Sequence, residues 1–100
     1  MAAVQVDARR NPVTVALDGE LSFNTVSEIH PELTRALEGG KDLAVDYGKL
    51  GHFDLAGVQL LLALKVSAAE RGISVSFSGR ENEGRVARML SFAGLPALQD

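Results

Sequence analysis

The sequence predicts an α/β fold: one small mixed sheet of four to five strands with helices mainly on one face. Three observations carry this. Segments of alternating apolar and polar residues interleave with segments of helical period, in the order β-β-α-β-α-β-α. The first two strands are close enough in sequence for an antiparallel hairpin. The later ones are separated by helices and so run parallel through right-handed crossovers. Finally, the strands at residues 13–18 and 73–77 each carry one polar side, so only one face of the sheet calls for cover.

Each element has its own signal. Val4 and Val6 suggest a short first strand, and Asn11-Pro12 the turn after it. Val13, Val15 and Leu17 share one face of a half-buried strand, which Asp18-Gly19 is expected to end. Val26, Ile29, Leu33 and Leu37 recur at helical spacing up to Gly39-Gly40, and Thr25-x-x-Glu28 fits a capping box. Pro31 lies inside that stretch, so a kink or a distinct first turn is expected there. Leu43-Ala-Val-Asp-Tyr47 reads as a central strand, followed by a glycine-bearing loop. A second helix runs from Leu55 to Arg71 and stops at Gly72. Ile73, Val75 and Phe77 mark the last strand, and Val86, Met89, Leu90 and Ala93 a last helix ending at Gly94.

Composition narrows the function. One hundred residues, 46% hydrophobic, suit a single domain over residues 1–100 that needs no metal or disulfide to hold it. The absence of cysteine excludes disulfides, thiol redox chemistry and cysteine-based zinc sites. The longest apolar run, residues 60–64, is far too short to cross a bilayer, and the first residues do not read as a secretory signal. A cytoplasmic protein is the expectation. A net charge of −3 without a basic cluster argues against nucleic acid or an anionic membrane as the partner. With two histidines and no convergent nucleophile, base and oxyanion donors, the chain is not expected to be an enzyme or to hold a cofactor.

The most informative stretch is the passage from the central strand into the second helix. Asp54 stands at the N-cap, so the N–H groups of Leu55, Ala56 and Gly57 fall in the first turn. The carboxylate of Asp54 itself takes one of those donors and repels free anions. Nor is there a phosphate-cradling P-loop. His52 with Asp54 lacks a third ligand for a metal, and Ser22 with His30 lacks the glycine pattern of a nucleophile elbow. Arg80, Arg85 and Arg88, mixed with Glu81 and Glu83, read as a solvated face.

Residues from about 13 to 95 resemble the STAS domain, the fold of bacterial anti-sigma factor antagonists and of sulfate-transporter tails. The resemblance rests on Asp18-Gly-Glu-Leu21, Leu43-Ala-Val-Asp46, Phe53-Asp-Leu-Ala-Gly-Val58 and Val86-Ala-Arg-Met-Leu-Ser-Phe-Ala-Gly-Leu95, in that order and spacing. In phosphorylatable members the second helix opens with Asp-Ser-Ser-Gly, and the second serine takes phosphate from an anti-sigma kinase. Here the same stretch is Asp54-Leu55-Ala56-Gly57, so the resemblance places Ala56 at the acceptor position, without a hydroxyl to modify. Many relatives carry an aspartate after Gly-Glu-Leu that meets the kinase; this chain has Ser22. Other members have Asp-Thr-Ala-Gly or Asp-Thr-Gly-Gly, among them a small subunit that binds the ATPase of the bacterial lipid-asymmetry transporter. Leu55 replaces that threonine.

The binding surface is expected to outlast the lost switch. On a helical wheel Gln59, Ser67, Glu70 and Arg71 form one polar arc that also holds Leu60. Val58, Leu61, Leu62, Leu64, Val66, Ala68 and Ala69 fill the remainder, more apolar surface than one sheet face requires. The resemblance therefore implies a partner-binding face made of Ser22, Asp54, Leu55, Ala56, Gly57, Gln59, Leu60 and Ala63. Its expected partner is an anti-sigma factor or switch kinase. The alternative is a transporter ATPase, with the same helix as a permanent contact.

Overall fold

Alternation and glycine stops translate directly into the architecture of the computed structural model, which describes residues 2–99. Strands β1 (Ala2–Asp7) and β2 (Val13–Leu21) form a hairpin closed around a cis Asn11–Pro12 bond. Helix α1 (Val26–Glu38), strand β3 (Leu43–Phe53), helix α2 (Leu55–Glu70) and strand β4 (Val75–Ser78) follow. A single 3-10 turn, Arg80–Asn82, then leads into helix α3 (Glu83–Phe92). The sheet has four strands in the order β1-β2-β3-β4; β1 pairs antiparallel with β2, and the other two pairings are parallel. Among the described residues no helix is long and apolar enough to cross a membrane.

Val13, Val15 and Leu17 of β2 and Leu43, Val45 and Tyr47 of β3 are buried on one face. Ile29, Leu33 and Leu37 of α1, Val58, Leu61, Leu64 and Ala68 of α2, and Val86 and Leu90 of α3 join them in one apolar core. On the opposite face Thr14, Ala16, Ala44 and Asp46 remain partly exposed. The helix layer is thus one-sided, as the strand patterns predict. Helix ends explain why the glycines stand where they do. Gly72 (φ 72°) donates its N–H to Ala69 O, and Ile73 donates to Ala68 O, a Schellman closure of α2. Gly94 and Leu95 close α3 onto Ser91 and Leu90 in the same way.

Several boundaries differ from the sequence expectation, each for a physical reason. β2 continues through Asp18-Gly19 to Leu21, because register shifts between Ala16 and Asp18 and between Gly19 and Glu20 absorb the glycine at φ 87°. The same irregularity lets β3 run on to Phe53 where a loop is expected, with Leu50 and Phe53 rephased onto the buried face. Ile73 is not in the last strand: its N–H is committed to the end of α2, and β4 begins at Val75. The Thr25-x-x-Glu28 capping box does not form. The Thr25 hydroxyl instead turns back, accepting from Ser22 N and donating to Glu20 O. Pro31 lies inside α1 without dividing it into two helices.

One contact sets how the helices sit on the sheet. A methyl group on Gly57 would lie 2.1 Å from Leu21 O, so α2 rests its first turn directly on the end of β2. Only glycine permits this approach. Gly57→Ala is expected to destabilise the fold by about 2–3 kcal/mol through overpacking, lowering Tm by roughly 10 °C or more. Calorimetry of the variant against wild type checks it.

Candidate functional site

The end of the sheet where β2 and β3 terminate is built around Asp54. With extended φ and ψ, this residue caps α2 and its Oδ1 accepts from Gly57 N at 2.9 Å. Its other oxygen, Oδ2, accepts from Phe23 N at 3.0 Å, thirty-one residues earlier in the chain. One carboxylate therefore joins the start of α2 to the loop between β2 and α1. The Phe23 N–H holds the Asp54 carboxyl below its ordinary pKa against the opposing effect of burial, with lesser help from the Gly57 N–H and the charge of His52.

The loop of residues 22–25 is braced from within as well. Ser22 N donates to Thr25 Oγ1, Asn24 N donates to Ser22 Oγ, and the Ser22 hydroxyl donates to the Glu20 carboxylate. Ser22 is consequently only 1% exposed. It shapes the loop from below, and what the loop presents is Phe23, 76% exposed. A large aromatic ring held on a hydrogen-bonded loop loses little freedom when a partner covers it. Sequence reasoning missed Phe23, since nothing in its position after Gly-Glu-Leu-Ser tells whether the ring turns inward or outward.

Beside the loop runs a groove of 600 Å³ between α1 and α2, lined by Val26, Ser27, His30, Ala56, Gln59 and Leu60. Leu55 and Ala56 are half-exposed at its head, and Gln59 and Ala63 stand exposed along α2. Of the expected surface residues, Gly57 joins Ser22 in being buried, and Leu60 is turned partly inward. Gly57 is buried against Leu21. Leu60 is half-buried and lines both this groove and a 40 Å³ cavity with His30, Thr34, Leu37, Ala63, Leu64 and Ser67. It packs toward α1, which lies beside α2 against Leu60 and Ser67, while Gln59, Glu70 and Arg71 of the same arc stay exposed. The excess apolar surface of α2 instead emerges at Val66, 60% exposed. With Leu62, Ala63 and Ala69, Val66 faces Pro96 and Ala97 across a second groove.

Charged side chains around this end have local tasks. The Arg85 guanidinium lies 4.7 Å from the centre of the Phe53 ring, a cation–π contact that the sequence did not signal. Arg80 reaches Asp46 at 3.8 Å on the open face of the sheet. Among the described residues no three His, Asp or Glu side chains gather as a metal-binding set. His52 and His30 are both exposed, and on different elements.

The model of the family described as "Mlab, STAS domain" matches residues 4–100. The chain belongs to the STAS-domain family. Solved STAS-like structures agree with the fold. An anti-sigma factor antagonist from Mycobacterium paratuberculosis superposes with a TM-score of 0.72 at 15% identity, over 97% of this chain and 85% of that one. The anti-sigma factor antagonist SpoIIAA in its unphosphorylated form gives a TM-score of 0.64 at 23% identity, covering 93% of this chain and 82% of that one. A structure described as Mglu matches with a TM-score of 0.61 at 18% identity, over 76% of this STAS chain but only 19% of the other. No curated protein matches the chain. At these identities the structures establish the fold.

Two outcomes follow from the site. Asp54→Asn is expected to cost about 1 kcal/mol at neutral pH, since the cap is weakened and the loop loses its charged acceptor. Because the folded carboxyl titrates below its ordinary value of 3.8, this stabilisation is complete above that pH. It is lost as pH falls through the lower folded value, so wild type and variant converge in acid denaturation profiles. Leu60→Glu is expected to destabilise by roughly 1–3 kcal/mol, whereas Val66→Glu changes stability by no more than about 0.5 kcal/mol. Parallel urea titrations separate them.

Proposed function

We propose that residues 1–100 act as a single, non-catalytic, cytoplasmic STAS module that binds a protein partner, an anti-sigma factor or a related switch kinase. The observation that carries this reading is the double use of the Asp54 carboxylate, which locks the Phe23 loop onto the head of α2. The contact face comprises Phe23 above the shaped Ser22 loop, Asp54 as the positioning residue, Leu55 and Ala56 at the helix start, and Gln59, Leu60 and Ala63 along the groove. Ala56 occupies the position where phosphorylatable members carry serine, so the module stays competent to bind without a phosphate switch there. Family membership and the likeness to anti-sigma factor antagonists support the role; the face is our own assignment.

The second reading is a permanent subunit packed on the ATPase of a lipid-asymmetry transporter through the same face. The family description, which names Mlab, favours it. Titration calorimetry against a candidate GHKL-type kinase and a candidate transporter ATPase distinguishes the two. Under the first reading the kinase binds, Phe23→Ala weakens binding by about tenfold or more, and ATP adds no phosphate to residues 54–57. Binding to the ATPase alone selects the second reading. Full affinity in Phe23→Ala, or a phosphate mapped to residues 54–57, overturns the assignment of the face.

A further inference from the structure

The two edges of the sheet are treated differently. At the β4 edge the strand is only four residues long, Val75–Ser78, and pairs with just Leu43 to Asp46 of β3. Beyond it, the remaining edge of β3 is covered by the turn at Arg80–Asn82. There the buried Asn82 amide donates to Tyr47 O at 2.9 Å and Leu50 O at 3.1 Å. That edge is short and then closed.

At the other edge, β1 has β2 as its one strand neighbour among the described residues. Natural edges are commonly blunted by lysine, proline or a bulge. Residues 3–6, Ala-Val-Gln-Val, carry none of these, and β1 pairs with β2 in unbroken register. Asp7, at the end of the strand, has its carboxylate held by Arg9 at 3.2 Å and Arg10 at 3.3 Å. Val6 is 41% exposed, large for an apolar side chain, and lines a 320 Å³ groove with Ala8, Val13 and Ala36 beneath α1.

We propose that β1 is a self-pairing edge: two copies of this chain join antiparallel about a two-fold axis through Gln5. The four-stranded sheets then become one continuous sheet of eight. The strand's own sequence selects a second copy as the occupant. Centred on Gln5, Val4 of each copy lies opposite Val6 of the other, Gln5 opposite Gln5, and Ala3 opposite Asp7. Valine pairs meet on the helix side, amides meet on the open side, and no like charges stand opposite each other. Centring on Val6 instead would set Val4 opposite Ala8 and Gln5 opposite Asp7, leaving one valine pair, Val6 with Val6, where the Gln5 register makes two. The axis is perpendicular to the sheet, so both helix layers stay on one side and the two grooves flanking Val6 become adjacent. A strand edge of this length falls below standard interface size, giving a weak dimer with Kd on the order of 100 μM. The face proposed for partner binding, at the 22–25 loop and the start of α2, shares no residue with β1.

The chain has no cysteine, so an introduced one is the sole thiol. Directly opposed residues of an antiparallel pair have Cα atoms about 4.5–5.5 Å apart, within the span a disulfide bridges. Under mild oxidation Gln5→Cys is expected to yield a dimer of about 21 kDa, twice the chain's 10.6 kDa. It should form about tenfold or more faster than with Gln59→Cys on α2, and adding Val6→Lys should slow it by a similar factor. Equal rates for the two cysteines, or indifference to Val6→Lys, overturn the proposal. Sedimentation of the unmodified chain gives a second reading: self-association should appear between roughly 10 μM and 1 mM, and a monomer throughout that range overturns it as well.

Discussion

The contact on which the site depends is the approach of α2 to the end of β2, where Gly57 leaves no room for a side chain against Leu21 O. It fixes the depth at which the helix rests, and therefore where its N-cap stands. From that position Asp54 reaches the amide of Phe23 as well as its own helix. Leu21 O in turn accepts from Asp54 N at 3.3 Å, so strand end, cap and loop are tied at one point. Were the helix to ride higher, the carboxylate would still cap α2 but the loop would lose its brace.

This arrangement changes what the start of α2 is. A helix N-terminus offers unpaired N–H donors and a partial positive charge, which often receive anions. Here an internal carboxylate already occupies that position, and its pKa is depressed by the donors it accepts from. The junction works as a joint between two segments of chain. Ala56, in the first turn at the head of the groove, adds no group that would change the charge there. A rigid aromatic on a fixed loop next to an apolar groove is a geometry for meeting another surface, and its chemistry is that of shape and burial.

Much of the fold was legible in the residues. Period-two runs at Val13, Val15 and Leu17, and helical runs at Ile29, Leu33 and Leu37, report a one-sided core because burial is what selects apolar side chains at those spacings. Gly40, Gly72 and Gly94 mark helix ends since each takes a positive φ there. The errors cluster where backbone irregularity rephases a pattern, as at Gly19, or where one donor has two possible acceptors, as at Ile73. Of the site, Asp54 as a cap was evident from its place before an apolar helix. Phe23 was not, because a lone aromatic after a strand looks the same whether it turns in or out.

Leu60 shows the same limit on α2. Its position on the helical wheel was correct, yet a wheel describes one helix without neighbours, and α1 decides which sector is covered. By itself the sequence determined the order of elements, the sidedness of the core, the helix ends and the missing hydroxyl at position 56. These depend on local periodicity, backbone freedom and covalent chemistry. Only the tertiary structure decided that Ser22 is buried beneath its loop, that Phe23 and Val66 face outward, and that one carboxylate serves two segments thirty-one residues apart. Those outcomes depend on which surfaces meet when the helices dock on the sheet, and no single segment carries that information.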